Sequence, residues 1–350
     1  MSVYALTGLI FSIPISKWIE KIRMRRFLII SLCSMLLGNI LSLYKPETGW
    51  YILAGRTLEG FSYTVLAITG PVIANRYAPK AYLPLVISLT AIWIPIGQLA
   101  ATGITPFILS RFHWQGLWWV SIILTLLMMI WTIINPMLIN SNKQVKKRSE
   151  QRNDITVSKF KQRSLLTASV IFMLWSTQYI AYMTWLPLYF IEHLGFSLGE
   201  SLTGYMLPVI LIIIFNILTG VAIRNGISVG TLLVMGLILQ ASAWWLIPLT
   251  DSGLSGILSL ILYGIAAGII ATSLFAMPNT IMGKTGASAV AFGYIMTGRN
   301  IGVFIGPILL GQLYLFGSGW SSISPVFALI TSLAVFAGWI LFRRLKVELV

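Results

Sequence analysis

Three charged residues of this chain lie inside long apolar stretches: Arg56, Glu59 and Arg299. A charge in hydrocarbon is costly, so such groups normally face a cavity or a partner. Arg56 and Glu59 stand three residues apart, so on a helix they share a face and can pair. Two readings stay open for them: a carboxylate that carries protons, with Glu59 as the carrier, or a structural ion pair. Arg56 also lies ~9 Å from the outer end of its segment at helical rise, within snorkelling reach of the surface.

Arg299 is different. It sits with Asn300 in "GYIMTGRNIGVFIGPILLG", ~18 Å from the inner end of its segment, with no acid nearby in sequence. A guanidinium presents a rigid fork that matches carboxylate or phosphate. A central arginine without a local counter-ion points to an anionic substrate, unless Glu59 reaches it across the bundle. Gly298, Gly302 and Gly306 recur every fourth residue, a small-residue stripe for close helix packing.

Further candidates are polar or aromatic. Trp175, Gln178, Tyr182 and Trp185 recur at three- to four-residue spacing. Trp185 and Tyr189 fit an interfacial belt, whereas Gln178 and Tyr182 are deep enough to line a cavity. Trp93, Gln98 and Asn216 lie inside apolar segments and either touch solute or bond a neighbouring helix. There is no phosphate-binding G-x-x-x-x-G-K-[ST] loop, which argues against a self-contained ATP-driven pump. His113 and His193 are far apart and Cys33 is the single cysteine, so neither a metal site nor an intrachain disulfide is expected. No cofactor is implied, and without a catalytic cluster an enzyme is not expected.

The elements that must hold these residues follow from composition. Charged residues are 9% of the 350, against about 25% in soluble domains, while hydrophobic residues are 57% and the mean hydropathy is +0.88. This is an all-α integral membrane chain. Windows of roughly 20 apolar residues predict eleven helices, near 2–16, 27–44, 50–74, 81–106, 115–138, 164–191, 200–223, 228–249, 253–278, 287–315 and 321–342. Pro71, Pro95, Pro106, Pro208, Pro278 and Pro307 are expected as kinks. The first segment lacks a basic leader, so no cleavable signal peptide is expected.

The net charge of +15 would suit nucleic acid, but its distribution points to a membrane instead. When the loops alternate between sides, one set holds 20 of the 24 Lys/Arg and the other holds only Lys45 and Arg111. The basic set is then cytoplasmic, with Met1 outside and Val350 inside. The long basic loop 139–163 divides the chain into bundles of five and six helices, residues 1–138 and 164–350. Its charge suits a solvated linker near anionic headgroups.

Four stretches carry a family resemblance. "ISKWIEKIRMRRF" resembles the G-x-L-x-D-R-x-G-R-[RK] loop of the major facilitator superfamily, with Glu20, Lys21 and Arg25 at the acidic and two of the basic positions. Ser16, Arg23 and Met24 depart from the pattern. "GRTLEGFSYTVLAITGPVIANRY" resembles the R-x-x-x-G pattern of the family's fourth helix, through Arg56 and Gly60, and "YGIAAGIIATSLFAMPNTI" repeats its outline. "TWLPLYF" resembles a segment of members that carry small organic anions. The resemblance implies two helical bundles around a central cavity, a cytoplasmic gate at Glu20, Lys21 and Arg25, and alternating-access transport of a small solute, with proton coupling a further expectation. It also implies a monomer in the plasma membrane (the inner membrane of a bacterium). Its partners would be lipid and solute, with no nucleic acid. The loop arrives one helix earlier than in the family, so the first family helix is expected to be missing. A non-transporting remnant or a solute sensor of the same fold is the alternative.

Overall fold

The computed structural model describes residues 2–21, 24–44, 47–135, 159–247, 253–283, 289–317 and 322–348. Among them the regular structure is helical. In hydrocarbon no water satisfies backbone N–H and C=O groups, and a helix satisfies them internally. The first set comprises α1 (Ser2–Lys21), α2 (Met24–Tyr44), α3 (Gly49–Tyr77), α4 (Leu83–Ala91), α5 (Trp93–Phe112) and α6 (Gln115–Ile134). The second comprises α7 (Lys159–Leu194), α8 (Leu198–Arg224), α9 (Val229–Leu246), α10 (Leu254–Met282), α11 (Ala289–Phe316) and α12 (Ile323–Glu348).

Nine helical segments among the described residues are long and apolar enough to cross a membrane, with α4 and α5 counted together. The other two are α1, whose apolar stretch Val3–Ile19 is shorter, and α3, which carries Arg56 and Glu59. The chain breaks for one residue, Ile92, between α4 and α5. Pro95 has no N–H to return to the Ala91 carbonyl, which accounts for the break. The prolines at 71, 106, 208, 278 and 307 sit inside unbroken helices. Most of the expected linker 139–163 lies outside the described residues. Its last five residues are the first turn of α7.

Packing is set by small residues. A Cβ at Gly298, Gly302 or Gly306 would run into the carbonyl oxygens of Ser169, Met173 and Thr177, so α11 lies directly on the α7 backbone through three turns. Gly60 leaves the same kind of room for the backbone of Tyr4, and Gly38 for Gly55 and Glu59. The two sets meet along two seams. In the first, α1 crosses α11: Gly293 faces Ser16, and Asn300 Nδ2 donates to Ser12 Oγ at 3.0 Å. In the second, α4 and α5 lie on α8, where Gly220 accommodates Ser88. The start of α8 is fixed by a capping box in which Ser197 and Glu200 satisfy each other's backbone N–H.

Candidate functional site

With its glycine stripe pressed on α7, α11 turns Arg299 toward the first set of helices. Its side chain is 3% exposed. The guanidinium carbon stands 5.2 Å from the centre of the Tyr63 ring on α3, and Nη1 donates weakly to Asn300 Oδ1 at 3.3 Å. Tyr4 of α1 and Tyr179 of α7 lie within electrostatic range of the same charge. The Tyr63 ring continues into Tyr4 (5.4 Å, edge-on) and Trp93 of α5 (4.9 Å). Tyr179 stacks on Trp175 and its hydroxyl donates to Gln98 Oε1 across the seam at 3.4 Å. Tyr205 of α8 is close enough to Tyr179 to interact electrostatically. Six helices, α1, α3, α5, α7, α8 and α11, thus place one guanidinium among aromatic and amide groups.

Of the residues singled out from sequence, Arg299, Trp93 and Gln98 meet at this seam. Asn300 stays beside Arg299, its Oδ1 accepting from the guanidinium while its Nδ2 is spent on Ser12 of α1. Others are placed elsewhere. Gln178 is fully buried inside the second set, where its Oε1 accepts from Trp244 Nε1 (2.6 Å) and the Tyr263 hydroxyl (3.0 Å). Tyr182 stacks on Tyr263 at 3.6 Å. Asn216 Oδ1 accepts from the Thr272 hydroxyl at 2.7 Å, tying α8 to α10. Tyr182 also borders a cavity of about 270 Å³ within the second set, lined by Trp185, Tyr189, Phe190, Phe196 and Trp244 among others. That cavity is apolar and does not reach Arg299.

Arg56 and Glu59 pair at 2.6 Å, so Glu59 does not serve Arg299. Arg56 also lies over the Trp118 ring of α6 at 4.9 Å. Glu59 is 8% exposed, and its Oε1 has no hydrogen-bond partner among the described residues. Tyr63 follows Glu59 by one turn on the same face of α3. At the expected gate, Arg25 Nη2 donates to the Ile133 carbonyl at 2.7 Å, closing the last turn of α6. Glu20 and Lys21 belong to the last turn of α1; Arg23 lies outside the described residues.

Sequence reading missed Tyr4, Tyr63, Tyr179 and Tyr205. One signal was available: Tyr63 is four residues beyond Glu59, on the helix already marked by two charges.

A helical membrane protein whose polar groups gather at the seam between two helix sets has the architecture of a solute carrier. The chain belongs to the major facilitator superfamily, whose family model matches residues 1–291. It resembles the solved human organic anion transporter MFSD10 (TETRAN), with a TM-score of 0.74 and 13% identity over 96% of this chain and 82% of that one. It also resembles the proton:xylose symporter XylE, with a TM-score of 0.77 and 12% identity over 96% and 84%. The E. coli fucose:proton symporter FucP gives 0.69 and 13% over 97% and 89%. No curated protein matches the sequence. The protein is a multi-pass membrane transporter of the secondary type, not an enzyme.

Proposed function

We propose that this transporter moves a small organic anion by alternating access, with Arg299 as the anion-binding group and Glu59 as the proton carrier. The observation that carries the reading is the isolation of Arg299. It is 3% exposed at the seam, and no carboxylate among the described residues lies within ion-pair distance. A buried charge left without a partner is costly, and a substrate carboxylate or phosphate would supply the missing counter-charge. Tyr4, Tyr63, Trp93, Gln98 and Tyr179 would surround the bound solute. The structural relatives include a transporter named for organic anions and two named for sugars with protons, so the choice between these classes rests on Arg299.

In this reading the halves 1–138 and 164–350 rock about the two seams, and the protein works as a monomer in the plasma membrane. The C-terminus is cytoplasmic by the 20-to-2 distribution of loop cations. Purified protein in liposomes, with an imposed pH gradient, is the test. A panel of small carboxylates and organic phosphates should include solutes that accumulate, while fucose and xylose should not. Uptake of neutral sugars alone, or anion uptake unchanged in Arg299→Ala, would overturn the proposal.

A further inference from the structure

The beginning of α7 and the end of α12 form a second basic site, well away from Arg299. Arg163 and Arg344 converge there with Phe160 on a pocket of about 190 Å³. Arg344 Nη1 is steered by the Thr167 hydroxyl of α7 at 3.1 Å. Among the side chains that the structure describes, which do not include that of Glu348, the ion pair is Arg56–Glu59 and involves neither arginine. Nearby cations at this end are engaged otherwise: Lys161 donates to the Met282 carbonyl, Arg343 lies over Trp339 and Lys346 over Phe342. Arg163 and Arg344 thus bring two guanidinium groups to one pocket.

The surface next to this pocket is apolar. Leu166 and Val170 follow Arg163 at three and seven residues, on the same face of α7, and both are exposed. Leu333 precedes Arg344 by three helical turns on α12 and is also exposed. A charged pocket at a helix end thus continues into a lipid-facing track. We propose that this is a binding site for an anionic phospholipid, with the headgroup phosphate between Arg163 and Arg344 and an acyl chain along Leu166, Val170 and Leu333. Guanidinium forks suit a phosphate, and basic pockets between transmembrane helices are recurrent headgroup sites. A zwitterionic lipid brings its own cation, which competes with the two arginines for the phosphate. The bound lipid would bridge the first turn of α7 to the last turns of α12 and brace the second helix set.

Native mass spectrometry of the detergent-purified full chain tests this, using phosphatidylglycerol and phosphatidylcholine with identical acyl chains. Phosphatidylglycerol should be retained in preference. At about fivefold per arginine, Arg163→Gln with Arg344→Gln should weaken its retention roughly thirtyfold, to the level of phosphatidylcholine. Arg224→Gln, which removes a cation from another helix end, should leave retention intact and controls for net charge. Leu333→Asn should weaken phosphatidylglycerol binding with both arginines present, which keeps the test decisive if the double variant fails to fold. Equal retention of the two lipids, or an unchanged Leu333→Asn variant, would overturn the proposal. So would displacement of phosphatidylglycerol by excess inorganic phosphate, which would mark the pocket as a site for a soluble anion.

Discussion

Arg299 of α11 holds its guanidinium over the ring of Tyr63 on α3, 5.2 Å from the ring centre, so the two helix sets touch through a cation and a π-face. The contact holds the guanidinium without neutralising it, since a ring supplies quadrupole attraction but no countercharge. Tyr63→Phe, which keeps the ring but removes a hydroxyl that also interacts with the guanidinium, should weaken transport affinity less than loss of the ring does. Tyr63→Leu should raise the half-saturation concentration by about two- to thirtyfold, the range of a partly desolvated cation–π contact. Arg299→Lys should fail to restore affinity, because an ammonium has no fork. Initial-rate uptake across solute concentrations reads all three. A Tyr63→Leu variant with unchanged half-saturation would remove the ring from the site.

The α11–α7 contact gives a stability prediction. Gly302 faces the Met173 carbonyl so closely that a Cβ there must move backbone rather than a flexible side chain. Gly302→Leu should cost at least the ~1–3 kcal/mol of ordinary overpacking and displace Arg299, one turn away. The expected result is a lowered thermal midpoint together with lost uptake. At Gly97 an added Cβ would meet nothing within 4 Å, so Gly97→Ala should leave both measurements unchanged.

Which parts were legible in the sequence follows from what a bilayer does to sequence patterns. The glycine stripe of α11 could be read because only small residues permit backbone contact, whatever the partner. The Arg56–Glu59 pair could be read because its geometry is local to one helix. The side that Gln178 faces could not. α7 packs against α8, α10, α11 and α12, and with lipid outside there is no polar face to mark the orientation. Gln178 and Trp175 are in fact one half of a reciprocal brace. Trp175 donates to Gln240 and Trp244 donates to Gln178, so each helix of the α7–α9 pair supplies one tryptophan and one glutamine. The tyrosines at the seam were hidden for a related reason: tyrosine marks both interfacial belts and buried sites, and only tertiary contacts separate the two.

The Asn300–Ser12 bond joins α11 to α1 across the first seam at 3.0 Å. Hydrogen bonds between membrane helices average about 0.6 kcal/mol in double-mutant cycles. Ser12→Ala and Asn300→Ala should show a coupling of that size in unfolding from mixed micelles. Any transport cycle that separates α1 from α11 must break this bond, so Ser12→Ala should also increase labelling of a reporter cysteine in place of Ser16, a residue of similar size buried against Gly293 of α11 in the same seam. Unchanged labelling with a measurable coupling would mean that this part of the seam stays shut throughout the cycle.

Glu59 separates a structural pair from a proton carrier through a three-variant comparison. The carboxylate is held at 2.6 Å by Arg56, yet its second oxygen is buried without a hydrogen-bond partner among the described residues. A purely structural carboxylate would be expected to satisfy both oxygens, whereas a group that exchanges a proton needs one left free. Arg56→Gln strands a buried charge and should destabilise the protein by roughly 3–5 kcal/mol. Adding Glu59→Gln removes that charge and should recover most of the loss. Accumulation driven by a pH gradient should stay absent in the double variant, because no carboxyl remains to carry the proton. Glu59→Gln alone should abolish accumulation while sparing exchange of labelled for unlabelled solute. Thermal midpoints and the two transport modes, measured on the same preparations, decide it: if the double variant recovers accumulation along with stability, Glu59 is structural and the coupling carboxyl lies elsewhere.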